Sequence, residues 1–131
     1  STKDQNPAES NEPETQEDDE WEDQGTPQEM NPDEVQTLLN TEDPPALLDV
    51  REKHELEADG FIPGSTHIPL GELESRVDEL DLSKSHVVYC ASGMRSFDAG
   101  FCLIQNGCKD VVNLNGGIKA WPGEKDYPNK S

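Results

Sequence analysis

The stretch Val87-Val88-Tyr89-Cys90-Ala91-Ser92-Gly93-Met94-Arg95-Ser96 decides how this chain is read. An apolar run of strand length, opening at His86, stops at a cysteine; a short glycine-containing loop follows, and a helix is expected from about Ser96. In an open α/β sheet, ligands collect beyond the carboxyl ends of the strands. The first amides of the helix that follows point into that space with unpaired N–H groups and the positive end of the helix dipole. A thiolate held there is stabilised, so the Cys90 thiol is expected to ionise below the ~8.5 of a free cysteine. Gly93 permits backbone angles that let successive amides converge on one point. Arg95 supplies a permanently charged fork for two oxygens of a sulfur- or phosphorus-centred anion, and Ser92 and Ser96 add hydroxyl donors. The plainer alternative is a cysteine packed as a small hydrophobe at a strand end. The Ser-Gly-Met-Arg-Ser that follows it favours a nucleophile in an anion cradle.

Outward from this loop, strands and helices alternate. Ala46-Leu47-Leu48-Asp49-Val50 upstream and Asp110-Val111-Val112-Asn113-Leu114 downstream are further short apolar runs, of the kind found in strands buried on both faces. Asn31-Pro32-Asp33-Glu34 predicts a helix start, with Asn31 as cap, Pro32 in the first turn and Glu34 closing a capping box; Val35, Leu38 and Leu39 then share one face. Glu52 to Ala58 reads as a short polar helix closed by Gly60. Phe61 to Pro69 reads as an extended loop with a brief strand near His67-Ile68, and Gly71 to Leu80 as a helix. Ser96 to Asn106 is expected to turn Phe97, Phe101 and Ile104 inward and to end at Gly107. Gly116-Gly117 leads into a last short helix ending at Trp121-Pro122. The fold class expected is α/β: an open parallel sheet with helices on both faces.

Charge divides the chain. Of 29 acidic and 10 basic residues, residues 1–30 hold eleven acids against the single Lys3. Their large apolar residues are Trp21 and Met30, too little apolar surface to offset an ordering cost of about 1–2 kcal/mol per residue. Residues 1–29 are therefore expected to be a disordered acidic tail, serving as a docking arm or merely as a solubilising leader, and residues 30–131 to be one domain. The net charge of −19 disfavours nucleic acid and anionic membrane surfaces as partners, and no apolar run approaches the roughly 20 residues of a membrane span. No secretory signal is legible. The cytoplasm is the expected compartment, with a periplasmic or otherwise exported location left open because the chain begins at Ser1 rather than Met. Three cysteines preclude a fully paired disulfide framework. They form no CxxC pair, and His54, His67 and His86 are scattered, so neither a metal site nor a cofactor is expected.

Four segments in this order resemble the rhodanese family: Leu48-Asp49-Val50-Arg51-Glu52; Gly60-Phe61-Ile62-Pro63-Gly64-Ser65 with Ile68-Pro69-Leu70; Cys90-Ala91-Ser92-Gly93-Met94-Arg95-Ser96; and Leu114-Asn115-Gly116-Gly117-Ile118-Lys119-Ala120-Trp121. The resemblance runs from about Met30 to Trp121. It implies a rhodanese-like single domain that passes a sulfane sulfur from thiosulfate or a related donor to cyanide or another thiophilic acceptor, through a persulfide on the cysteine matched by Cys90. It implies that the amides of Ala91, Ser92, Gly93, Met94, Arg95 and Ser96, with the Arg95 side chain, hold the substrate. Four positions depart from the family's usual residues: Phe61 for a histidine, Ser65 for an alanine, Ile118 for an aromatic, and Ala91 where many members place arginine. The loss of that cation bears on how well doubly charged donors bind.

Asp49 and Arg51, just past another strand end, are expected either to orient the active loop or to form a structural ion pair. His67 reads as a packed loop residue. Cys102 is expected to pack within the helix, with a resolving role the alternative, and Cys108 lies just past the helix end. Partners expected are a small anionic sulfur donor and a protein donor or acceptor, with the chain itself a monomer. Competing readings are a non-enzymatic interaction module, a protein-to-protein sulfur carrier, and a cysteine phosphatase or arsenate reductase. The last have five residues between cysteine and arginine, against Ala91 to Met94 here, and a shorter loop suits a sulfur atom better than a tetrahedral phosphate.

Overall fold

The apolar runs form the strands of one sheet. The computed structural model describes residues 25–128. Its strands are β1 (Gln28–Met30), β2 (Ala46–Asp49), β3 (Thr66–His67), β4 (His86–Tyr89) and β5 (Val111–Leu114). They lie in the order β1-β5-β4-β2-β3, and every pairing is parallel. Helices α1 (Pro32–Leu39), α2 (Lys53–Asp59), α3 (Leu70–Arg76) and α4 (Met94–Gln105) make the connections, with short 3-10 turns at Val77–Glu79 and Ile118–Ala120. The strand that ends at the cysteine is therefore the central one. This is the open parallel α/β sheet that the sequence predicts.

The two-residue period of a strand divides β4 between two cores. Val88 and Cys90 face Leu73 of α3 and Ala99 and Leu103 of α4. Val87 and Tyr89 face Val35 of α1 and the Ile118 and Trp121 side chains. Burying each such aliphatic side chain contributes roughly 1.5–3 kcal/mol, so slippage of β4 by one residue would exchange the cores and move the cysteine to the wrong face.

Two sequence expectations differ from the structure. The buried face of α4 is Ser96, Ala99, Gly100 and Leu103; of the three residues expected inward, Ile104 is half-buried against the same core, whereas Phe97 and Phe101 are 37% and 39% exposed. Both sets have helical spacing, and the larger side chains suggested the wrong one. Close approach decides the matter: a Cβ on Gly100 would meet the Pro27 ring at 2.9 Å and Val111 Cγ1 at 3.1 Å, so the helix packs through its small residues. Second, the sheet begins before residue 30. Gln28, Glu29 and Met30 pair with Val112, Asn113 and Leu114. The acidic tail expected over residues 1–29 otherwise falls on residues 1–24, outside the described residues. Among the described residues no helix is long and apolar enough to cross a membrane.

Candidate active site at the end of the central strand

Cys90 leaves the end of β4, and the chain folds back so that helix α4 begins beside it. Gly93 caps α4 with φ of 109°, a left-handed conformation that glycine adopts without steric cost. The turn aims two amides at the sulfur: Gly93 N–H donates to Sγ at 3.1 Å and Ser96 N–H at 3.3 Å. Burial, the largest influence, pushes the thiol up, but hydrogen bonds from Ser96, Gly93 and Ser92 together outweigh it and hold Cys90 below its ordinary value. The Ser96 hydroxyl has one proton, and it goes to Asn113 Oδ1. Asn113 Nδ2 is already committed to Glu29 Oε2 and the Gly93 carbonyl, both at 3.0 Å, so Oδ1 is left as an acceptor. The Ser96 amide thus donates to the sulfur while its hydroxyl braces Asn113.

Asn113 is a bracing residue that sequence reasoning missed. It is buried in β5 and ties the two ends of the loop together, Gly93 through a carbonyl and Ser96 through a hydroxyl. A buried polar group costs free energy unless it is satisfied, and an asparagine within the apolar run Val111-Val112-Asn113-Leu114 was the available signal. The Gly116-Gly117 corner braces the loop from the other side. Ile118 N–H donates to the Cys90 carbonyl at 2.8 Å and Lys119 N–H to that of Ala91 at 3.2 Å. Gly117 has φ of +65°, and a Cβ there would lie 2.4 Å from the Ala91 carbonyl oxygen. No side chain fits.

Arg95 does not present a free fork. Its Nη1 and Nη2 each donate to an oxygen of Glu55 at 2.8 Å. Glu55 belongs to the first turn of α2, where Oε2 also accepts the Glu52 amide at 3.0 Å. The hydrogen bonds from Arg95 outweigh burial and lower the Glu55 carboxyl to about 2, so it is ionised throughout the neutral range. Glu55 stands forty residues from its partner, and no local pattern announces it.

Asp49 and Arg51 pair with each other. Both are fully buried, with Arg51 Nη2 2.6 Å from Asp49 Oδ2 and 2.7 Å from the Gly60 carbonyl. Their bonds hold the Gly60 turn rather than the cysteine loop, which favours the ion-pair expectation; removing one partner of such a pair costs about 3–5 kcal/mol. Arg51 stacks 5.6 Å over the Tyr89 ring. His67 Nε2 lies 2.6 Å from the Arg51 carbonyl, a packing role. Of the loop residues, Ser92 and Met94 are exposed and Ala91, Gly93 and Arg95 intermediate, while Cys90 is 1% exposed. Cys102 is half-buried and Cys108 buried. Among the described residues no three His, Cys, Asp or Glu side chains stand together as metal ligands would.

A parallel sheet with a polarised cysteine beyond its central strand is an arrangement suited to chemistry through a thiolate. Residues 31–124 match the rhodanese-like domain family, to which the chain belongs. A protein of Allochromatium vinosum named sulfurtransferase is 41% identical over 86 residues, 66% of this chain and 78% of that protein. The protein YqhL of Bacillus subtilis is 42% identical over 78 residues, 60% of this chain, and the match spans 61% of YqhL's length. The crystal structure of a rhodanese-like domain protein from Staphylococcus aureus is similar at a TM-score of 0.69 and 30% identity, covering 79% of this chain and 99% of that one.

Proposed function

We propose that this protein is a sulfurtransferase that carries sulfane sulfur as a persulfide on Cys90, taking it from thiosulfate or a related donor and yielding it to cyanide or another thiophilic acceptor. The Cys90 thiolate attacks the outer sulfur of the donor, the new S–S bond forms as the old one breaks, and the leaving anion takes the electron pair. A nucleophilic acceptor then removes the outer sulfur and regenerates the thiolate. The covalent intermediate divides one hard transfer into two easier ones. The amide cradle serves both steps, since one such donor in a comparable oxyanion site is worth about 2.7–4 kcal/mol. A thiol held below its ordinary value needs less help from a general base to ionise.

The observation that carries the reading is the pair of amides on Sγ, Gly93 at 3.1 Å and Ser96 at 3.3 Å. Intact mass after treatment with thiosulfate or inorganic polysulfide tests it. One reducible sulfur atom should be gained, and thiocyanate should appear on adding cyanide. Absence of any adduct with either donor refutes the proposal. A protein-to-protein carrier is the second reading, favoured by one observation: Glu55 occupies both terminal nitrogens of Arg95, which a small dianion would otherwise claim. Such a carrier gains sulfur from a protein donor while turning over little thiosulfate.

A further inference from the structure

Helix α4 shows solvent a row of large apolar side chains. Met94 is 79% exposed, Phe97 37% and Phe101 39%. Their spacing of three and four residues sets them on one face, and the row begins at the cysteine loop, because Met94 follows Gly93. An open cavity of about 570 Å³ runs along its start, lined by Glu29, Gly93, Met94, Arg95, Phe97 and Asp98. Scattered exposed apolar residues are ordinary, whereas a contiguous row beside a polar site marks a contact surface.

Charge selects the occupant. The cavity is edged by the Glu29 and Asp98 carboxylates, and its cation, Arg95, is neutralised by Glu55 at 2.8 Å. A second copy of the chain, at −19, meets like charge. So do residues 1–24, with ten acids against Lys3. A free dianion meets the same rim and, with Ala91 beside the cysteine, no unpaired cation on the residue that follows it. A basic polypeptide with apolar side chains complements both the rim and the row.

We propose that the Met94, Phe97 and Phe101 face of α4 docks a basic polypeptide whose own cysteine persulfide is the sulfur donor to Cys90. This inference rests on the sulfurtransferase reading and names its donor. A segment lying along α4 brings its cysteine to the Gly93 end of the row. Cys90 Sγ attacks the outer sulfur of the donor persulfide, one S–S bond forms as another breaks, and the donor cysteine leaves as a thiolate. The exchange needs neither oxidant nor reductant.

The test uses two synthetic peptides, each with leucines beside a single cysteine persulfide and differing in lysines or glutamates around it, with inorganic polysulfide as a third donor. Cys90 loading is followed by intact mass. The lysine peptide should load Cys90 at least about tenfold faster than the glutamate peptide at low salt, the gap closing as salt rises. A Phe97→Ser/Phe101→Ser variant should slow the lysine peptide about tenfold while loading from polysulfide stays within about twofold. Equal rates for the two peptides, or an unslowed double variant, overturns the proposal. The peptide pair acting on the unaltered chain decides it even if the double variant fails to fold. Failure of all three donors to load Cys90 sinks the sulfurtransferase reading itself, an outcome distinct from loss of peptide preference alone.

Discussion

Two cysteines on one face of the sheet meet opposite fates. Cys90 is 1% exposed and Cys108 2%, and both belong to the same core. Amides donate to the Cys90 sulfur at 3.1 and 3.3 Å. The Cys108 sulfur instead faces carbonyl oxygens, Lys84 at 3.5 Å and Asp110 at 3.9 Å. Burial pushes both thiols up; at Cys108 it prevails and the thiol is raised, whereas at Cys90 the hydrogen bonds prevail and the thiol is lowered. Helix α4 starts beside one and ends beside the other, so its dipole favours a thiolate at Cys90 and opposes one at Cys108. Whether a buried thiol is lowered or raised here follows the end of the sheet at which it lies, not how deeply it is buried. The size of a cavity is an equally poor guide: one of about 590 Å³ lies at the Cys108 end, lined in part by Ile104, Lys109 and Asp110.

The most severe way to break the contrast is to remove each sulfur in turn. Cys90→Ser should reduce thiocyanate formation by about 10³-fold or more, as loss of a covalent nucleophile does, while Cys108→Ser and Cys102→Ser should leave it within about twofold. Comparable loss from Cys108→Ser would erase the distinction. Next comes the loop's brace. Gly117→Ala places a Cβ against the Ala91 carbonyl in a left-handed conformation, and should cost about 1–3 kcal/mol in urea denaturation and raise the Cys90 thiol as its amides lose alignment. A variant of parental stability would show that the corner does not position the loop.

The third test is titration. Rates of iodoacetamide alkylation, each scaled to its own alkaline plateau so that burial cancels, should give a midpoint below the ordinary cysteine value for Cys90 and above it for Cys108. The signs for stability are opposite. Cys90, depressed on folding, adds stability that is complete above the unfolded ~8.5 and is lost as pH falls through its folded value. Cys108, raised on folding, contributes stability that is complete below ~8.5 and is lost as pH rises through its folded value. Difference denaturation curves for Cys90→Ala and Cys108→Ala read these slopes, and slopes of the same sign would contradict the account. The smallest effect is expected from Glu55→Gln, which removes the charge that occupies Arg95. Loading of Cys90 by thiosulfate should rise about two- to fivefold, a modest change because exposed charges are screened. An unchanged rate would mean that Arg95 is not accessible to the donor.

How much of the site was legible follows from how far apart its parts lie in the chain. The strand, the cysteine and the glycine turn are contiguous from Val87 to Ser96, and their geometry follows from local rules. The bracing groups are not contiguous: Glu29 reaches Asn113 across 84 positions, Glu55 reaches Arg95 across 40, and Asn113 reaches Gly93 across 20. The Phe97 and Phe101 face failed for a different reason, since spacing identifies two candidate faces of α4 and size alone picked the one left in solvent.

Sequence alone determined the alternation of buried strands with helices and the placement of a thiol where helix amides converge, because apolar runs, caps and turn glycines act over a few residues. The tertiary structure decided which face of α4 is buried, that Glu29 joins the sheet, and that Arg95 is already paired. Those outcomes depend on close approach and charge contact between segments distant in the chain, and one sequence carries no local mark of either.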